Sequence, residues 1–197
     1  MTRRPLFFAL MLAAMATAAE AHTGIGSTSG FIHGFSHPLG GVDHILAMVA
    51  VGLFAAHLGG RALWLVPASF VTMMAAGGVA GISGFDLPFI EAGIGLSVVV
   101  LGAIVALQWN APLSAAMAIV GFFAVFHGFA HGAEMPKDTS GLSYASGFVV
   151  ATALLHAVGI ALGLGIGRVS RLRTNCIAQV SGGAMALAGV GILTGVL

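Results

Sequence analysis

Charged residues and cysteine are both scarce in this chain. Only 7% of its 197 residues are Asp, Glu, Lys or Arg and the formal net charge is +1, whereas soluble domains contain about 25% charged residues. A nucleic-acid partner is not expected, because phosphate binding needs a basic stripe that this chain lacks. The single cysteine, Cys176, excludes an internal disulfide and any metal site built from several thiolates.

Long apolar segments take the place of the missing charge. Hydrophobic residues make up 58% of the chain, glycine occurs 30 times, and the mean hydropathy is +1.06. About 20 apolar residues are needed for each membrane crossing. The sequence therefore predicts an all-α, polytopic membrane bundle with six transmembrane helices in one domain, residues 22–197. The predicted spans are 38–58, 62–84, 88–108, 112–132, 143–167 and 175–197.

Residues 1–21 have the pattern of a secretory signal peptide. Arg3 and Arg4 form a basic start, residues 5–19 are mainly apolar, and residues 19–21 read Ala-Glu-Ala, which fits a cleavage site. Cleavage would leave His22 at the new N-terminus, where its amine and imidazole form a further pair of metal ligands. An uncleaved first helix is the alternative.

The basic residues predict how the bundle is oriented. Arg61 follows the first span, and Arg168, Arg171 and Arg173 lie between the fifth and sixth spans. Lys and Arg accumulate in cytoplasmic loops. We therefore expect a multi-pass protein of the bacterial inner membrane with both termini in the periplasm.

Two short clusters contain four of the eight histidines and two of the six acidic residues. His127, His131 and Glu134 are spaced i, i+4 and i+7, which places them on one face of a helix. His37 and His44 are seven residues apart and are expected to share a face of a continuous first span. Asp43 lies roughly 120° away and is expected to orient a ligand.

The predicted topology places both clusters at the outer end of the bundle. Four imidazoles and two carboxylates at one depth make a nitrogen and oxygen site, which suits nickel, zinc, copper or cobalt better than magnesium or calcium. Because imidazoles bind metal in their neutral form, protons should compete with the metal below about pH 6. The alternative is a set of buried histidines that are bonded to carbonyls.

Two further residues and a glycine pattern are secondary candidates. Glu91 begins the third span and either joins the site or caps its helix. His156, in the middle of the fifth span, is either a second step of a pathway or a core histidine. Glycines spaced four apart, such as Gly77 and Gly81, allow close helix packing, either within the chain or in a homo-oligomer.

At these clusters the chain resembles the HupE/UreJ family of bacterial nickel permeases, which accompany hydrogenase or urease genes. The similarity covers the whole length. The resemblance implies secondary uptake of nickel or cobalt as substrate, with no cofactor, and it implies six important residues: His37, Asp43, His44, His127, His131 and Glu134. The matching motifs are His37-Pro38-x-x-Gly41-x-Asp43-His44 and Phe126-His127-Gly128-x-Ala130-His131-Gly132-x-Glu134.

Two other classes of function remain open at this point. An intramembrane zinc hydrolase of the alkaline ceramidase type would use Asp43 or Glu134 as a base for water. A subunit that anchors an assembly factor would need large loops or tails, which the sequence lacks. The chain has no phosphate-binding GxxxxGK[ST] motif, so ATP is not bound in that way.

Overall fold

A computed structural model describes residues 30–135, 141–167 and 171–197. These ranges form seven α-helices and contain no strand, which confirms the all-α prediction. The leader 1–21 and His22 lie outside the described residues. The helices are α1 (Gly30–Gly40), α2 (Val42–Leu58), α3 (Ala62–Ile82), α4 (Ile90–Leu107), α5 (Leu113–Ala133), α6 (Gly141–Gly167) and α7 (Arg171–Leu193).

Helices α3 to α7 are each long and apolar enough to cross a membrane, and the bent pair of α1 and α2 passes the same test when its two helices are taken together. The chain is therefore a multi-pass helical membrane protein. Helices α3 to α7 begin and end within four residues of the predicted spans. Hydropathy located them well because each crossing needs a nearly continuous apolar segment.

The prediction of one continuous helix over 38–58 is wrong. Helix α1 ends at Gly40, Gly41 is extended (φ −104°, ψ 123°), and α2 starts at Val42. The two helices meet at an angle of 83°. Pro38, the first residue of the predicted span, lies inside α1 instead of at the start of a helix. A Cβ at Gly41 would lie 2.6 Å from the Asp43 carboxylate, so glycine leaves the room that this side chain needs.

Successive spans run in opposite directions, as the topology prediction requires. Near the start of α2 and the end of α5, His44 contacts His131. Ser97, in the first half of α4, contacts His127, which lies one turn deeper than His131 on α5. Arg61 and the start of α7 lie at the opposite end, because α2 and α6 run away from the histidines.

Glycine contacts allow the transmembrane helices to approach closely. Gly77 and Gly81 of α3 lie against the backbone of α5, and Gly159 of α6 lies against Val49 and Gly52 of α2. Small residues permit such backbone contact in membranes, where helix packing depends on van der Waals contact. These glycines therefore serve packing within one chain, and a homo-oligomer stays a prediction.

Replacing Gly128 with alanine is expected to destabilise the bundle. A Cβ at Gly128 would collide with the main-chain oxygen of Met74 on α3, and such overpacking costs about 1–3 kcal/mol. The thermal unfolding midpoint of the detergent-solubilised variant should fall. Gly183→Ala is the matched control, since nothing lies within 4 Å of a Cβ there. Equal midpoints for the two variants would contradict this account of the α3–α5 contact.

Candidate metal site

The end of α5 carries three of the predicted site residues. His127 and His131 lie one turn apart and are buried, with 0% and 6% of their surface exposed. Glu134 caps the helix, where its backbone N–H donates to the Ala130 carbonyl. Its side chain is 61% exposed. One helix face therefore runs from a solvated carboxylate to a fully buried imidazole.

Helix α1 adds His37 to this face. His37 Nε2 lies 3.9 Å from Glu134 Oε2. His37, His131 and Glu134 each offer a ligand atom, and these atoms all lie within 4.8 Å of one another. Two imidazoles and a carboxylate at this separation can be drawn onto one divalent ion by small side-chain rotations.

His44 contacts the same group from α2. Its Nε2 is 2.6 Å from His131 Nε2, and its Nδ1 is 2.9 Å from Asp43 Oδ1. The carboxylate accepts the Nδ1 proton, so Nε2 carries the lone pair and faces His131. Asp43 thus fixes the tautomer and the ring orientation of His44, as carboxylates do for metal-binding histidines. The geometry agrees with the orienting role that the sequence suggests for Asp43.

His127 is the deepest of these four imidazoles. Ser97 donates its hydroxyl proton to the Ile94 carbonyl at 2.6 Å, so its oxygen accepts from His127 Nε2 at 2.9 Å. This assignment leaves the lone pair on His127 Nδ1. That nitrogen is buried and has no hydrogen-bond partner among the described residues.

The four imidazoles form a line, which we call the histidine line: His37, His131, His44 and His127. Neighbouring ring centroids are 4.7, 4.5 and 4.8 Å apart. The expectation that His37 and His44 share one helix face is wrong, because the bend at Gly41 places them on two helices. The bend nevertheless brings both rings to His131.

Sequence reasoning missed three neighbours of this line. His33 lies one turn before His37 in α1, with ring centroids 6.2 Å apart, and Tyr144 lies 5.7 Å from His33. Ser97 is the third. The i, i+4 spacing of His33 and His37 was a usable signal, but the predicted span began after both residues. Glu91 is exposed in the first turn of α4 and is not part of the three-residue ligand group.

Comparisons with known proteins agree with the resemblance seen in the motifs. The family model described as HupE / UreJ protein matches residues 10–192. The chain is 46% identical over 186 residues to "Protein HupE" of Rhizobium leguminosarum bv. viciae, covering 93% of this chain and 95% of the relative. No solved structure matches.

The matched family is one of transport or accessory proteins linked to nickel handling, and it is not a known class of enzymes. The comparisons therefore give no support to the zinc hydrolase alternative. Both the family match and the curated relative span nearly the whole chain, including every residue of the histidine line. The chain belongs to the HupE/UreJ family.

Proposed function

We propose that this protein carries nickel, or cobalt, across the bacterial inner membrane into the cytoplasm without ATP. The metal is the transported substrate, and it supplies hydrogenase or urease maturation. The observation that carries this proposal is the exposure gradient of the ligand groups, from Glu134 at 61% to His127 at 0%. A closed structural site has no need of such a gradient, whereas an entry route does.

The gradient suits the stepwise removal of water from an ion. Glu134 and His37 are solvated enough to meet a hydrated cation, and the charge of Glu134 attracts it. His131 and His44 then replace water with nitrogen ligands, which nickel and cobalt prefer more strongly than magnesium or calcium do. In this step Asp43 holds the His44 ring in the orientation that points Nε2 towards His131.

The direction of transport follows from the placement of basic residues. Arg61 and the arginines at the start of α7 lie at the end opposite the histidine line, and such residues are typical of the cytoplasmic side. The line therefore opens to the periplasm, with both termini on that side. Nickel is chosen over zinc and copper because of the family, since the ligands alone suit all of these ions.

Purified protein in liposomes should take up radioactive nickel without ATP. We expect excess Co²⁺ to compete and excess Mg²⁺ to have little effect, because the site combines imidazole with few carboxylates. Protein-free liposomes are the control. A rate equal to that of empty liposomes would contradict the proposal.

A further inference from the structure

Among the described residues, one buried polar side chain outside the histidine line has no hydrogen-bond partner. His156 is 2% exposed, near the middle of the 27-residue helix α6. Neither of its ring nitrogens has a hydrogen-bond partner among the described residues. Buried polar groups are nearly always satisfied, and an exception requires an explanation such as an absent ion. Within a membrane span, a residue of this kind marks a functional site by default.

His156 is linked to the deepest member of the histidine line through one aromatic ring. The Phe70 ring of α3 lies 5.7 Å from the His127 ring and 5.0 Å from the His156 ring. Phe70 is fully buried. A single side chain therefore contacts both His127, whose Nδ1 is unpartnered, and His156.

Further donor atoms lie one helical turn from this contact. Met74 of α3 and Thr152 of α6 are both buried, and the Thr152 hydroxyl is 3.8 Å from the Met74 sulfur. Because residues four apart share a helix face, Thr152 lies beside His156 and Met74 beside Phe70. Imidazole nitrogen with a thioether or hydroxyl nearby favours a transition metal over magnesium or calcium.

Open space lies between Met74 and the histidine line. A cavity of about 180 Å³ lies between α3, α5 and α6, and both His131 and Met74 line it. One water molecule needs only about 10–15 Å³ of such space. The cavity is therefore large enough to hold a partly hydrated ion between His131 and Met74.

We propose that His156 is a second binding station for the transported ion, at mid-membrane. This inference rests on the proposed function. An ion that leaves the histidine line would otherwise cross the centre of the bilayer without a ligand, and an unpaired charge is very costly there. His156 shortens the distance that the ion crosses without a ligand, because only the Phe70 ring separates it from His127.

The variant His156→Phe removes the ligand and fills the same space. We expect nickel uptake by liposomes to slow at least about tenfold, while the thermal midpoint stays equal or rises, because two unpartnered buried nitrogens are removed. Equilibrium dialysis of the detergent-solubilised variant against Ni²⁺ should find one ion fewer per chain, with unchanged affinity at the histidine line. His57→Phe is the matched control, since His57 is exposed at the other end of α2.

Two results would overturn this inference while leaving the proposed function intact. One is uptake by His156→Phe at the wild-type rate with a lowered thermal midpoint, which would identify a structural core histidine. The other is an equal number of bound Ni²⁺ ions in the variant and the wild type. If liposomes that contain the wild-type protein take up no nickel, the proposed function fails. The number of Ni²⁺ ions bound per chain in equilibrium dialysis still decides whether His156 binds metal.

Discussion

Nickel uptake is expected to fall at least about 100-fold when His131 is replaced by alanine. His131 belongs to the ligand group with His37 and Glu134, and its Nε2 also lies 2.6 Å from His44 Nε2. Its removal separates the exposed ligands from the buried ones. The initial rate of radioactive nickel entry into liposomes measures the effect, and equilibrium dialysis measures the accompanying loss of bound Ni²⁺.

A matched histidine at the far end of the bundle controls for this loss. His57 is exposed, and its Nε2 lies 2.9 Å from the Gln108 carbonyl oxygen. Uptake by His57→Ala should stay within about twofold of the wild type, as is usual for surface substitutions. The thermal midpoint of His131→Ala must also be measured, because the residue is buried. A folded His131→Ala variant with more than half of the wild-type rate would contradict the proposed route.

Sequence reasoning was most successful where one helix carried the whole signal. The spans from α3 to α7 follow from hydropathy alone, since lipid requires a continuous apolar segment. The placement of His127, His131 and Glu134 on α5 follows from the helical period. The different exposures of these three side chains cannot be predicted from the helical period, because exposure depends on which other helices cover each turn of α5.

The first span shows where periodicity misleads. A spacing of seven residues between His37 and His44 fits a continuous helix, and hydropathy carries no information about a bend. Two adjacent glycines, Gly40 and Gly41, allow an irregular backbone, but they do not define the angle of the bend. The extended backbone at Gly41 is linked to the space that the Asp43 and His44 side chains occupy, which only the folded arrangement reveals.

Residues that meet across the bundle were the hardest to predict. Ser97 and His127 are 30 positions apart, and a lone serine in an apolar span is unremarkable in the sequence. Phe70 is one of 13 phenylalanines, and only packing places its ring between His127 and His156. Contacts of this kind depend on which helices become neighbours, and the helical period of a single span contains no such information.

Replacing Asp43 with asparagine is expected to lower nickel affinity by about 10–100-fold, the usual cost of losing a carboxylate that orients a metal-binding histidine. The carboxylate holds His44 from two sides, accepting from the ring Nδ1 at 2.9 Å and from the backbone N–H at 2.8 Å. An amide keeps the shape but loses the charge, and it can present an N–H to the ring. His44 would then hold its proton on Nε2, where the metal needs the lone pair.

A double-mutant cycle and a charge control distinguish two roles of Asp43: orienting the His44 ring, and attracting the nickel ion by its negative charge. If Asp43 acts through His44, then Asp43→Asn combined with His44→Ala should bind nickel no more weakly than His44→Ala alone. Asp86→Asn removes an equal charge from the exposed α3–α4 loop at the same end of the bundle, and its affinity should stay within about twofold. Isothermal titration of solubilised protein with Ni²⁺ measures all four variants. A residue that acts by orienting His44 has no effect once that ring is gone, so additive losses in the cycle would contradict the orienting role. A loss of nickel affinity in Asp86→Asn equal to that in Asp43→Asn would show that Asp43 contributes only the electric field of its charge.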